Sequence, residues 1–169
     1  MSDAAHTFLV DAACDPVMIR IEGRASFQNS ASLRDFLAEM RRQDRGHFVV
    51  DFQNCTSMDS TFLGVLAGAA LELRKLGDAG SMVLCRVGER NLELINNLGL
   101  HRLLTLDTGD GSAHIRVAGT ALASQLRTNE LENARLVLAS HENLIAADET
   151  NRAKFQDVLS FLQNRVDQG

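Results

Sequence analysis

The stretch FVVDFQNCTSMDSTFLGVLAGAALELRKLG, residues 48–77, decides the fold class. The nearly continuous apolar run at 47–52 is typical of a central strand covered on at least one face. A polar connection is predicted next, over 53–60. The segment 61–77 predicts a helix whose apolar stripe is formed by Leu63, Leu66, Ala70 and Leu73. A buried strand that leads into an apolar helix is the basic unit of α/β proteins.

Two glycines interrupt this helix, although each costs about 1 kcal/mol relative to alanine in a helix interior. Gly64 and Gly68 lie four residues apart and therefore on one face. Small residues allow a helix to lie close to its neighbour. We expect that neighbour to be the sheet.

The flanking segments extend the pattern in both directions. Residues 7–12 and 17–25 predict two strands of an antiparallel hairpin, because apolar and polar residues alternate in the second segment and Pro16 stands between them. The remaining elements are a helix over 29–46 that Gly46 ends, a strand at 81–88, a helix at 89–100 and a strand at 102–107, with a short edge strand at 114–117. The order β-β-α-β-α-β-α-β predicts a mixed sheet of four to five strands with helices packed on it.

The pattern changes at about residue 120, so we expect an α/β domain over 1–118 and a helical extension over 119–169. Apolar residues recur there at intervals of three and four. The region predicts either one long helix with a polar patch or two helices that meet near Asp148 and Thr150. Its apolar seam packs either on the domain itself or on a second chain, which leaves a homodimer through these helices open. The seam residues are Leu131, Ala134, Leu138, His141 and Ile145, followed by Phe155, Leu159, Leu162 and Val166.

Composition limits the function classes. The chain has 169 residues, with 17 basic and 22 acidic side chains and a net charge of −5, which disfavours nucleic acid as a partner. No long apolar run predicts a membrane span, and the start of the chain has no secretion-signal pattern, so we expect a cytoplasmic protein. Cys14, Cys55 and Cys85 form no metal-ligand spacing and predict free thiols.

The sequence does not predict an enzyme, a cofactor or a metal site. It contains no nucleophile elbow, no zinc-protease motif, no phosphate-binding loop and no dinucleotide fingerprint. Its five histidines are scattered over different predicted elements, and none has an obvious catalytic partner along the chain.

The triplet Asp59-Ser60-Thr61 is the most informative polar feature, because it stands where a central strand gives way to a helix. One interpretation is that Asp59 or Ser60 caps the helix, which contributes about 1 kcal/mol. The other is that Ser60 accepts a phosphoryl group, which the amide groups and positive dipole end of the helix would favour. A switch predicts an exposed Ser60 hydroxyl, whereas a cap predicts a hydroxyl turned onto its own helix.

Residues 48–77 resemble the central segment of STAS domains, the anti-sigma factor antagonists of bacteria. The family pattern is an apolar strand, a small polar loop and then Asp-Ser-Ser/Thr-Gly-Leu-Gly, and Asp59, Ser60, Thr61, Leu63 and Gly64 match it. The predicted element order is also that of the family over about residues 7–110. The resemblance therefore predicts a STAS-like fold, which the C-terminal helical extension follows.

The resemblance also implies a role. Such a protein is not an enzyme but binds an anti-sigma factor, typically a serine kinase of GHKL type. That kinase would phosphorylate Ser60, with Thr61 as the second choice, and a PP2C-type phosphatase would reverse the modification. Asp59, Ser60, Thr61 and Phe62 would form the partner-binding loop. Phe62 stands where the family has glycine, and is predicted either to contact a different partner or to pull the start of the helix inward.

Two other functions stay open at this point. The chain could be an unswitched STAS-fold interaction module of a larger signalling assembly, with Ser60 as a cap only. It could also sense a small ligand, although no residue pattern indicates a pocket.

Overall fold

The computed structural model describes residues 7–109, 120–121 and 129–168. The strands are β1 (Phe8–Asp11), β2 (Val17–Ala25), β3 (His47–Met58), β4 (Ser81–Cys85), β5 (Thr105–Asp107) and β6 (Thr120–Ala121). The helices are α1 (Ser30–Arg42), α2 (Ser60–Arg74), α3 (Glu89–Asn97), α4 (Glu130–Ala147) and α5 (Asn151–Gln168). This order confirms the predicted alternation of strands and helices.

The described strands form one mixed sheet in the order β5-β4-β3-β2-β1-β6. β2, β3, β4 and β5 are parallel neighbours, and β1 pairs antiparallel with β2, as the predicted hairpin requires. The two-residue strand β6 pairs antiparallel with β1 at the edge. The edge strand predicted at 114–117 lies outside the described residues.

Several predicted boundaries are wrong. The strands predicted at 81–88 and 102–107 are shorter, at Ser81–Cys85 and Thr105–Asp107, and the helix predicted at 89–100 ends at Asn97. The polar segment after residue 52 is not a connection, because β3 continues to Met58 and pairs with β2 as far as Ala25. Backbone hydrogen bonds to β2 hold these residues extended although their side chains lack an apolar pattern. α1 ends at Arg42, and the left-handed residue after it is Asp44 (φ 62°) rather than Gly46.

The core lies between one face of the sheet and the helices. Three aromatic rings meet at its centre, where Phe62 of α2 lies 6.1 Å from Phe8 of β1 and 6.3 Å from Phe52 of β3 between ring centroids. Burial of each such side chain contributes about 1.5–3 kcal/mol relative to leaving it exposed. These contacts fix the start of α2 against the sheet.

The C-terminal extension is two helices, α4 and α5, that form a hairpin. α4 packs on the face of α2 opposite the sheet, so this part of the predicted seam packs on the domain. The corner of the hairpin is fixed by Asn151, whose buried side-chain amide donates to the carbonyl oxygens of Leu98 (2.9 Å) and Leu144 (2.8 Å). Most of α5 is exposed, including the ring of Phe161 at 69%.

The other face of the sheet carries a buried carboxylate. Asp51 of β3 accepts hydrogen bonds from Arg86 and from the backbone N–H of Gln53, and Arg20 lies 3.5 Å away. Burial raises the pKa of Asp51, but the hydrogen bonds and the two guanidinium charges outweigh it and hold this pKa below its ordinary value.

We expect Asp51→Asn to lower the free energy of unfolding by about 2 kcal/mol at pH 7, because the paired charge is lost. A carboxyl whose pKa is depressed by folding stabilises the protein above its unfolded pKa of about 3.9, and that contribution is lost as the pH falls through the folded value. The difference between wild type and Asp51→Asn in urea unfolding should therefore shrink as the pH falls below about 4.

Asp35→Asn is the matched control, since Asp35 forms an exposed pair with Arg34. We expect this change to cost less than about 0.5 kcal/mol at pH 7. Equal losses in the two variants would contradict a stabilising role for the buried pair.

Candidate functional site

Asp59 caps α2 and joins it to a second loop. Its Oδ1 accepts from the backbone N–H of Phe62 at 2.9 Å, which is the bond of an N-cap. Its Oδ2 accepts from the N–H of Phe27, also at 2.9 Å, in the connection between β2 and α1. Of the two predicted caps, Asp59 is therefore the one that forms, and the carboxylate holds two chain segments at the end of β3.

The Ser60 hydroxyl contacts a different element. Its Oγ lies 2.9 Å from Nε2 of His141 in α4. The other ring nitrogen, Nδ1, lies 2.7 Å from the carbonyl oxygen of Val137 and must donate to it. In the neutral imidazole Nε2 is then the acceptor, so Ser60 donates its proton to His141. The hydroxyl of this partly exposed residue is neither free in solvent nor turned onto its own helix.

His141 was not predicted as a site residue. It is 81 residues away from Ser60 along the chain, and its spacing predicts only a place in the apolar seam. In the structure it is 4% exposed, and its ring meets that of Phe155 edge-on at 4.6 Å between centroids. A histidine within an apolar seam is the one signal in the sequence, because a buried imidazole needs hydrogen-bond partners.

The Ser60–His141 pair differs from a hydrolase triad. In a triad, a carboxylate bonds to Nδ1 and stabilises the imidazolium that forms during the reaction. Here the partner of Nδ1 is the neutral carbonyl of Val137. The arrangement therefore positions the serine hydroxyl and joins α2 to α4.

The side chains of Thr61 and Phe62 point into the protein. Thr61 is 4% exposed and Phe62 is fully buried between Phe8 and Phe52. Of the two interpretations of Phe62, the structure shows the one in which the ring pulls the helix start inward. In this conformation, a partner could contact Thr61 and Phe62 only through their backbone atoms.

The helix glycines face a neighbour other than the predicted one. A Cβ at Gly64 would overlap the carbonyl oxygen of Ser140, and one at Gly68 would overlap the side chain of Asn143. Both neighbours belong to α4, so the prediction that these glycines bring α2 close to the sheet is wrong. The Asn143 amide also donates to the carbonyl oxygen of Gly64 at 3.1 Å. The glycines allow α4 to lie against α2 directly beside Ser60.

The three cysteines are free. Burial raises the pKa of both Cys55 and Cys85 to about 11, so their thiols stay protonated at neutral pH. Within 7–109, 120–121 and 129–168, no group of histidine, cysteine and acidic side chains is arranged to hold a metal ion. None of the helices in these ranges is long and apolar enough to cross a membrane.

The sheet order, with a capped helix that starts on serine after the central parallel strand, defines a small α/β domain followed by a helical hairpin. The chain belongs to the STAS-domain family, because the family model described as "Mlab, STAS domain" matches residues 8–106.

Solved structures support the same fold. A putative anti-sigma factor antagonist from Thermotoga maritima is 17% identical with a TM-score of 0.56, and the match covers 66% of this chain and 95% of that one. The anti-sigma factor antagonist SpoIIAA in its unphosphorylated form is 18% identical with a TM-score of 0.51, covering 63% and 93%. The Bacillus cell fate determinant SpoIIAA in its phosphorylated form is 19% identical with a TM-score of 0.51, covering 63% and 96%.

We expect Asp59→Ala to lower the free energy of unfolding by about 1–2 kcal/mol, because the cap of α2 and the bond to Phe27 are both lost. Asp59→Asn is the control, since its side-chain oxygen can still accept from the Phe62 amide. Chemical denaturation of the two variants measures the difference, and equal losses would show that capping does not depend on the acceptor oxygen.

Gly64→Ala should lower the free energy of unfolding by about 2 kcal/mol, although alanine favours the helix, because the added methyl group meets a backbone carbonyl that cannot rotate away. Gly68→Ala is the matched change one turn later, where the obstacle is the movable side chain of Asn143. We expect its cost to be below about 1 kcal/mol. Urea unfolding of both variants checks this order, and a stabilising Gly64→Ala would contradict the close approach of α4.

Proposed function

We propose that this STAS-family chain is a regulatory binding protein of the anti-sigma factor antagonist type. It exchanges partners according to the phosphorylation state of Ser60, and it acts through binding, without a reaction of its own. Asp59, the Ser60 hydroxyl and the backbone of Thr61 and Phe62 form the loop that a partner recognises.

The position of Ser60 carries this proposal. Ser60 is the first residue of α2 and is partly exposed. Its hydroxyl is hydrogen-bonded to His141 of α4 rather than to the backbone of its own helix. Capping is performed by Asp59, so Ser60 can be modified without removing the cap. The amides and dipole at the start of α2 favour added negative charge at this place.

The partners follow from the resemblance. They are an anti-sigma factor that is a GHKL-type serine kinase, and a PP2C-type phosphatase that restores Ser60, all in the cytoplasm. One similar protein, SpoIIAA, has solved structures in its unphosphorylated and phosphorylated forms, which supports a phosphorylation switch on this fold.

A second candidate is an unswitched interaction module within a larger signalling assembly. The observation that favours it is the contact of α4 with α2, since His141 already takes up the Ser60 hydroxyl. A homodimer through the C-terminal helices stays a prediction. α4 packs on its own domain, whereas Val158 and Phe161 of α5 are exposed and available for such a contact.

We expect affinity capture from a lysate of the source organism to separate the two candidates. Wild type and Ser60→Ala should both retain an ATPase-fold kinase, whereas Ser60→Asp should lose it, because the added charge repels the partner that binds the unmodified loop. Mass spectrometry identifies the captured proteins. The purified kinase with ATP should then modify wild type at Ser60 and leave Ser60→Ala unmodified.

The matched control is Ser57→Asp, which places the same charge three residues earlier on an exposed residue of β3. It should retain the kinase. If wild type, Ser60→Ala, Ser60→Asp and Ser57→Asp all capture the same proteins, Ser60 is structural and the chain is an unswitched module.

A further inference from the structure

We propose that the α4–α5 hairpin is a built-in cover of the Ser60 site, and that packing of α4 on α2 and phosphorylation of Ser60 oppose each other. The regulatory purpose of this coupling rests on the function proposed above. The coupling itself is a property of this chain and can be measured without any partner.

The cover occupies the surface beside the serine. α4 lies along the face of α2 that is turned away from the sheet, and it approaches the backbone of Gly64, one turn of helix beyond Ser60. A partner that docks on this face of α2 must replace α4. The apparent affinity of that partner is its intrinsic affinity multiplied by the fraction of molecules in which the hairpin is released.

The hydrogen bond at Ser60 has a direction that phosphorylation cannot keep. Nδ1 of His141 donates to Val137, so Nε2 presents its lone pair to the serine hydroxyl. Transfer of the γ-phosphoryl group of ATP forms an Oγ–P bond, releases the hydroxyl proton and leaves ADP. The donor that faced Nε2 is then gone, and anionic oxygens take its place next to a lone pair.

The imidazole ring that faces Ser60 is buried in the packed hairpin. His141 is 4% exposed, its ring lies against Phe155, and α4 is held near the backbone of α2 by the Asn143–Gly64 hydrogen bond. Placing a doubly charged group against this buried ring disfavours the packed hairpin. By linkage, the packed hairpin disfavours the modified serine to the same degree.

In this proposal the hairpin leaves α2 while the domain that the family model matches stays folded. Strands β1 to β4, the first two residues of β5 and the helices α1, α2 and α3 lie within the family match over residues 8–106, whereas β6, α4 and α5 lie outside it. The corner at Asn151 is tied to Leu98 after α3, so release of α4 need not detach the start of α5.

Hydrogen exchange followed by mass spectrometry tests the coupling on the full chain. Three proteins are compared: the unmodified chain, the chain with phosphoserine incorporated during synthesis at position 60, and a control with phosphoserine at the exposed position 57. We expect amides of α4 to exchange about tenfold faster or more with phosphoserine at 60, and within about twofold of the unmodified chain with phosphoserine at 57. Amides of β3 at 47–52 should stay protected in all three.

Three results would overturn the proposal. Unchanged exchange of α4 would mean that the modified serine fits beneath the hairpin. Slower exchange would mean that His141 takes up a proton and pairs with the phosphate. Loss of protection throughout the sheet, with the control still folded, would mean that the modification unfolds the domain rather than releasing a cover.

Gly64→Ala provides an independent test, because it disturbs the packing of α4 without adding charge and without changing Ser60 itself. It should also speed exchange of α4, and adding phosphoserine at 60 to this variant should speed it by less than in wild type, since the cover is already loosened. Equal effects of phosphoserine in both backgrounds would contradict the coupling. If exchange behaves as expected but affinity capture finds no partner sensitive to Ser60, the cover stands and the proposed partner switch fails.

Discussion

The close approach of α2 to α4 at Gly64 is the contact on which the candidate site depends. Two helix backbones can lie this near only where a side chain is missing, and the carbonyl oxygen of Ser140 occupies the space that a methyl group would need. The approach places His141, the next residue of α4, within hydrogen-bond distance of Ser60. α2 is thereby buried on two faces, by the sheet on one side and by α4 on the other.

The family relationship concerns the α/β domain, whereas the local geometry concerns the contact between this domain and the hairpin. The family match spans residues 8–106, which include strands β1 to β4 and the helices α1 to α3. The hairpin lies beyond that match. The contact of α4 with the serine is present in the structure of this chain, and under the proposed function this is where regulation would differ from that of the minimal domain.

Much of the fold could be predicted from the sequence, because the spacing of apolar residues and the length of each apolar segment distinguish strands from helices in this chain. The alternation in 17–25 and the apolar run at 47–52 both mark strands, and β2 spans the predicted residues. The polar half of β3 could not be predicted in this way, since its extended form depends on backbone pairing with β2 rather than on side-chain pattern. The left-handed turn after α1 falls on Asp44, where residue type alone favoured Gly46.

The site was predicted in part. The Asp59-Ser60 pair identified the start of α2, and the glycines indicated a close neighbour, but one sequence does not say whether that neighbour is a sheet or a helix. One sign was present: Val65 and Ala69 make the second face of α2 apolar as well, which is typical of a helix covered on both sides. The contact with His141 spans 81 residues and depends on the path of the hairpin, so no local pattern could reveal it.

The double burial of α2 also limits how such a protein can diverge. Substitutions on α2 disturb the sheet contact, the hairpin contact or the start of the helix, so this segment has little freedom to acquire a new recognition surface. The side chains of α5 are mostly exposed and carry few such constraints. Duplicated copies of this chain would therefore be expected to vary along α5 while keeping α2 nearly fixed.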